Sequence, residues 1–275
     1  MNKNSPIGIF DSGVGGLTVV KEILQELPHE SLIYLGDTAR VPYGTRGKEV
    51  ITKFALEMAN YLLKHNVKIL VVACNTISAT CLNEIQTLSS VPVLGVIDSA
   101  VDEALKATKI KHIGVIGTRA TISSGVYEDK IKKIDSQIKV SSASCPLLVP
   151  LVEEGFTSCL ATKLIVQDYL NKLPLKDIDP DSIGIDTLIL GCTHYPLLQD
   201  IIQDVAGQKI TLIDSAKPLA KNLRKILEEK NLLRENKKPN YEFYITDAPE
   251  RAKEIAENFF GKKLPGEFKK IDLEC

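Results

Sequence analysis

The sequence predicts an α/β protein made of two pseudo-symmetric, doubly wound parallel-sheet domains with the active site between them. Short, continuously apolar runs alternate with segments of helical periodicity, as in a parallel sheet covered on both faces. The pattern then restarts midway. "HIGVIGTRATI" (112–122) is a degenerate copy of "PIGIFDSGVGG" (6–16), and "DTLILGCTHYPLL" (186–198) is a copy of "VKILVVACNTISAT" (67–80). A further run, "ITLIDSA" (210–216), repeats "LGVIDSA" (94–100).

In chain order, "IGIF" (7–10) reads as a strand followed by a Gly-rich turn and the helical "LTVVKEILQEL". "LIYLGD" (32–37) reads as a second strand, followed by a polar loop and a helix from Gly47 to about His65. "KILVVAC" (68–74) precedes the helical "TISATCLNEIQTL", and "VPVLGVID" (91–98) precedes "SAVDEALKAT". The second half repeats this order. The charge-rich tail holds one more strand, "YEFYIT" (241–246). The expected division is residues 1–97 plus 210–275 for a discontinuous first domain and 98–209 for the second.

At 275 residues, 44% hydrophobic and 25% charged, the composition is that of an ordinary globular protein. A formal net charge of −1 provides no broad basic face, so nucleic acid is not an expected partner. No leader or membrane-spanning run is visible, and a cytoplasmic location is expected. The six cysteines at 74, 81, 145, 159, 192 and 275 form no CxxC pair, so neither a zinc site nor a redox motif is expected. In a reducing compartment they are free thiols.

Ligands of open α/β sheets bind beyond the carboxyl ends of the strands. Asp11-Ser12, "DTARVPYG" (37–44), Cys74-Asn75-Thr76 and Cys192-Thr193-His194 all fall there. The Gly-rich "FDSGVGGLT" matches neither the dinucleotide fingerprint nor the P-loop. Asp11 would repel a phosphate, and Asp11 and Ser12 can equally cap the next helix. Cys74 and Cys192 each end a buried strand before a helix, where the positive helix end lowers a thiol pKa toward neutrality. Either alone reads as a small buried hydrophobe; the matched placement favours chemistry. Cys81, Cys145 and Cys159 lack this placement, and Cys275 is terminal. His194 either assists proton transfer or caps a helix begun by Pro196. Asn75, Thr76 and Thr193 suit a carboxylate ligand, and Glu153 and Glu154 read locally as a solvated helix start. Two thiols on facing domains would let one remove a proton from a carbon while the other donates one from the opposite side, inverting it.

Together, "GIFDSGVGGLTV", "DTARVPYG", "VVACNTISA", "PLVEEG" and "LGCTHYPLL" resemble the aspartate/glutamate racemase family, and within it the bacterial glutamate racemases. The resemblance implies cofactor-independent, metal-free interconversion of L- and D-glutamate for cell-wall synthesis by a homodimer. It also implies Cys74 as base toward D-glutamate and Cys192 as base toward L-glutamate. Asp11 would assist the first thiol, and Glu153 and His194 the second, with Glu153 preferred over Glu154. Substrate contacts would come from Asp11, Ser12, Tyr43, Gly44, Asn75, Thr76, Thr193 and His194. Three other readings are a racemase of aspartate or a related acid, a cysteine hydrolase using Cys192 and His194, and a two-lobed binding sensor. The hydrolase requires two residues on one turn to face each other, an arrangement not expected of them.

Overall fold

A computed structural model describes residues 2–175, 184–235, 238–261 and 263–273. The terminal Cys275 lies outside the described residues. The elements run β1 (Ile7–Asp11), α1 (Leu17–Glu26), β2 (Leu32–Gly36), α2 (Lys48–Lys64), β3 (Ile69–Val72), α3 (Asn75–Leu88), β4 (Val93–Gly95) and α4 (Val96–Ala107). Then come β5 (His112–Gly117), α5 (Arg119–Ser123), α6 (Val126–Ile134), β6 (Lys139–Ser144), α7 (Leu148–Glu153), α8 (Leu160–Leu170), β7 (Thr187–Gly191) and α9 (Gln199–Ala206). The chain continues through β8 (Thr211–Asp214), α10 (Ala216–Glu229), β9 (Tyr241–Ile245), α11 (Pro249–Phe260) and β10 (Phe268–Lys270).

Two all-parallel sheets result. One has six strands in the order β10-β9-β2-β1-β3-β4, the other four in the order β6-β5-β7-β8. The order β2-β1-β3-β4 and the order β6-β5-β7-β8 are the same permutation, so β1 corresponds to β5 and β3 to β7. Cys74 and Cys192 therefore follow equivalent strands. In the first sheet, Ile7 and Ile9 pack with Leu17, Val20 and Ile23 of α1. Phe10, Leu70 and Val72 pack with Ile51, Ala55 and Met58 of α2 on the opposite face. The strand period of two sends alternate side chains to opposite helix layers, and burial on both faces requires the unbroken apolar runs. Each such side chain, fully buried, contributes about 1.5–3 kcal/mol.

Two expectations need correction. The second domain was expected to end at 209, but β8 pairs with β7 in the second sheet, Thr187 opposite Thr211 and Ile189 opposite Ile213. The boundary therefore comes after β8, because "ITLIDSA" is the counterpart of β4 and so the fourth strand of its own domain. The run "VPVLGVID" is a strand only through Gly95. Val96 and Ile97 are buried in the first turn of α4, since a short apolar run fits either period. Each fourth strand then sends its helix across to the other lobe. α4 packs on β7 and β8, and α10 packs along α1 and α4. The tail returns to the first sheet, where β9 pairs with β2.

A buried ion pair anchors this return at the amino ends of the strands. Lys68 Nζ donates to Glu30 Oε2 at 2.5 Å and to the carbonyls of Lys3 and Leu232, each at 2.8 Å. The other Glu30 oxygen accepts the Arg234 N–H at 2.7 Å. Lys68 and Glu30 are essentially inaccessible to solvent. Lys68→Met leaves Glu30 charged and buried, and should lower unfolding stability by about 3–5 kcal/mol, less when combined with Glu30→Gln. Urea denaturation measures this, and a loss below about 1 kcal/mol would show that the pair anchors nothing.

Candidate active site

A cavity of about 590 Å³ opens between the carboxyl ends of the two sheets. The first domain lines it with Ser12 after β1, Tyr43 and Gly44 from the loop after β2, and Cys74, Asn75 and Thr76 at the start of α3. The second contributes Thr118 and Arg119 after β5, Leu147 and Glu153 at the two ends of α7, and Cys192, Thr193 and His194 after β7. Every expected site residue except Asp11 is in this lining. Asp11 ends β1 and is completely buried. It does not cap α1, which is preceded by Gly16 and has no side-chain cap.

On the first side, the Asp11 carboxylate accepts the Gly13 N–H at 2.9 Å. Its other oxygen has no hydrogen-bond partner, although the nearby Gly16 N–H acts on its charge. Burial raises the Asp11 pKa, against the pull of the His194 charge and these amides. Cys74 lies 3.4 Å from the Ser12 hydroxyl. The sequence placed its thiol near neutrality, at a helix N-terminus. Burial, reinforced by the Asp11 charge, instead pushes it up to about 12, and the Ser12 and Ile77 hydrogen bonds only partly offset this. Desolvation outweighs the helix end, and Cys74 is a neutral thiol at pH 7.

The second side differs. Cys192 precedes a 3₁₀ turn over Tyr195–Leu198, with α9 beginning only at Gln199, so no α-helix starts at the thiol as expected. Its partner is His194, whose Nδ1 lies 3.9 Å from the Cys192 sulfur. The two do face each other, contrary to the geometric objection raised from their spacing. His194 Nε2 lies 2.9 Å from Glu153 Oε1. Burial opposes protonation of His194, yet the hydrogen bonds to Cys192 and Glu153 and their charges prevail and raise it to about 10. His194 is thus an imidazolium at neutral pH, beside the Cys192 sulfur. Glu153 ends α7 instead of starting a helix. Glu154 also borders the cavity but pairs with Arg251, at 2.5 Å.

Several residues that shape the cavity were not singled out from sequence. Buried Asp37 accepts the Tyr43 phenol O–H, the Arg40 Nε–H at 2.6 Å and the Thr246 hydroxyl at 2.8 Å. The end of β9 thereby holds the Tyr43–Gly44 turn. The only signal for this was the position of Asp37 at the head of "DTARVPYG". Gly44 abuts Thr118, where an added Cβ would lie 2.7 Å from the Thr118 Cβ. The Thr76 hydroxyl reaches that of Thr118 at 2.9 Å, and Asn75 Nδ2 donates to the Tyr127 hydroxyl at 2.9 Å. Phe259 of α11 meets the His194 ring edge to face, centroids 5.2 Å apart. Among the described residues, no group of three or more His, Cys, Asp or Glu side chains is arranged to hold a metal ion.

Comparison with known proteins agrees with this geometry. Residues 7–223 match the model of the Asp/Glu/hydantoin racemase family. The chain is 46% identical over 271 residues to the glutamate racemase of Syntrophus aciditrophicus (strain SB), covering 97% of this chain and 98% of that one. A crystal structure of a glutamate racemase isoform from Bacillus anthracis superposes with a TM-score of 0.92 at 42% identity, covering 99% of both chains. The glutamate racemase of Francisella tularensis subsp. tularensis SCHU S4, crystallised with D-glutamate, has a TM-score of 0.90 at 39% identity over 99% of both chains. With two thiols at equivalent strand ends facing one cavity, and these matches along its length, the chain belongs to the Asp/Glu/hydantoin racemase family.

Proposed function

We propose that this enzyme interconverts L- and D-glutamate by proton transfer between two thiols and Cα, without a cofactor, and supplies D-glutamate for peptidoglycan. The observation that carries the mechanism is the placement of two cysteines at equivalent strand ends in one cavity, with unlike neighbours. Cys74 is a buried neutral thiol, and Cys192 sits beside an imidazolium. Cys192 as thiolate takes the α-proton of L-glutamate, and the Cys74 thiol donates its proton to the opposite face, leaving Cys192 protonated and Cys74 as thiolate. To reset the site, His194 gives its Nε2 proton to the partly exposed Glu153, and so to solvent, and takes the Cys192 proton at Nδ1, while Cys74 regains a proton from solvent as product leaves. In the reverse direction Asp11, with its raised pKa, stands ready to take the proton of Cys74.

An α-carbon proton is very weakly acidic, so exclusion of water and fixed dipoles must supply much of the barrier reduction. Hydroxyls of Ser12, Thr76 and Thr193, together with the N–H groups at the start of α3, suit the two substrate carboxylates. The described cysteines are all free thiols, which agrees with a reducing, cytoplasmic location. Among the described residues, no helix is long and apolar enough to cross a membrane.

The mechanism makes a labelling prediction. L-glutamate incubated in deuterated water without pyridoxal phosphate should give D-glutamate carrying deuterium at Cα, while the unreacted L pool stays largely unlabelled at early times. Unlabelled product would mean that a single base returns the same proton, and the two-thiol scheme would fall. Cys74→Ser and Cys192→Ser should each abolish racemisation and leave glutamate binding largely intact. L-aspartate run in parallel separates glutamate from the smaller acid.

Asp11→Asn should also cost most of the activity while stabilising the ligand-free protein. The native state holds the Asp11 proton more tightly than the unfolded chain does, so stability is lost as pH rises through the acid range and the buried carboxylate ionises. Removing that charge should add about 1–3 kcal/mol at pH 7. Thermal unfolding measures it, and an unchanged or lower midpoint would contradict the assignment.

A homodimer is supported by the exposed apolar side chains of Phe156, Leu160 and Leu164, 53%, 70% and 57% accessible on the second domain. Sedimentation equilibrium should show a dimer that Leu160→Glu weakens; a monomer at all concentrations would remove it.

A further inference from the structure

Within the turn "DSGVGG" (11–16), Gly15 has no role yet. Gly15 does not occupy the left-handed region that favours glycine, so backbone conformation does not demand a glycine there. Space does. A Cβ on Gly15 would lie 2.5 Å from Cε1 and Nδ1 of His194 and 2.4 Å from the Thr193 hydroxyl oxygen. The His194 ring therefore rests directly on the main chain of the other domain. Phe259, buried on α11, meets the same ring with planes at 89°. The Thr18 hydroxyl reaches across to the Thr193 carbonyl at 3.2 Å and ties down the preceding residue. Hydrogen bonds to Cys192 and Glu153 occupy both ring nitrogens, but those contacts alone leave the ring free to tilt about the line joining them.

We propose that Gly15 and Phe259 are positioning residues, which hold the His194 imidazole so that Nδ1 faces the Cys192 sulfur and Nε2 faces Glu153. This rests on the reading of Cys192 and His194 as an acid–base pair. Both positioning residues lie outside the domain that carries His194: Gly15 precedes α1, and α11 packs against α1. The second thiol thus has a competent partner only when the two lobes are docked. The glycine turn is a seat for the other domain's histidine.

The test is a double-mutant design on the full-length enzyme. Phe259→Leu should lower kcat for L-glutamate about tenfold, a part of what a positioned acid–base group contributes, with KM little changed. Gly15→Ala should cost about 100-fold, as a displacement on the order of 1 Å does. In the His194→Asn background Phe259→Leu should change kcat by less than about twofold, because the group it acts through is gone, and Gly15→Ala should keep only the smaller loss that its Thr193 contact causes. NMR titration of His194 in substrate-free protein should show Phe259→Leu moving its midpoint down toward the ordinary imidazole range. Phe260→Leu, which removes similar volume from the same helix, should leave both kcat and titration as in the wild type. Equal losses in the His194→Asn and wild-type backgrounds would overturn the proposal, as would an unmoved His194 titration in Phe259→Leu. Because the titration needs no substrate, it decides the positioning role even if the wild type fails to racemise glutamate.

Discussion

A carbon deprotonated on one face and reprotonated on the other needs two proton carriers on opposed walls. A single parallel sheet cannot provide them, because all its carboxyl ends point the same way. The fold meets this constraint by duplicating a four-strand unit and turning the copies toward each other. Their relation is held by an exchange of helices. α4 leaves the first sheet and packs on the second, and α10 leaves the second and packs along α1. Val96, Ile97, Ala100 and Val101 of the one and Leu219, Ala220, Leu223 and Leu227 of the other join a core shared with both sheets. Parting the lobes would expose that shared surface, so its burial favours the docked arrangement.

The duplication sets equivalent backbones, but the two thiols differ because their neighbours do. Cys74 sits among buried groups above a carboxylate, and both burial and charge keep its proton on. Cys192 has beside it an imidazole whose pKa its contacts with Cys192 and Glu153 raise. Two identical environments would place both sulfurs in the same protonation state, and one direction of transfer would then wait for a proton to be gained or lost first. The surroundings of Cys74 and Cys192 differ, as those of a paired acid and base do.

Much of this was legible in the sequence. Unbroken apolar runs gave away the parallel sheets, and the internal repeat located both cysteines on matching strand ends. The site residues were readable because they cluster at strand ends in short polar turns. What stayed hidden depended on contacts between distant segments. The boundary after β8 was missed because "ITLIDSA" resembles a strand of the first domain so closely. The rise of the Cys74 thiol depends on tertiary burial and on the charge of Asp11, which no local pattern encodes. Thr246 and Phe259 come from a tail whose strand and helix are ordinary in composition, and only the tertiary fold carries them to Asp37 and His194. The reach of Cys192 to His194 escaped because a 3₁₀ turn replaces the expected α-helix and swings the imidazole back toward the sulfur.

The polar groups left unpaired are as informative as those that are satisfied. Among buried side-chain oxygens of the described residues, Oδ1 of Asp11 and Oδ1 of Asn75 lack hydrogen-bond partners. The Asn75 amide nitrogen is committed to Tyr127 and Ser215, which orients its oxygen as a free acceptor at the cavity. An unpaired buried acceptor costs about 1–3 kcal/mol, so retaining one needs a compensating role. Acceptors and a buried carboxylate mark the first-domain wall, while the imidazolium of His194 marks the second. A wall of acceptors facing a cation is complementary to a zwitterion, whose ammonium and carboxylate ends are drawn in opposite directions.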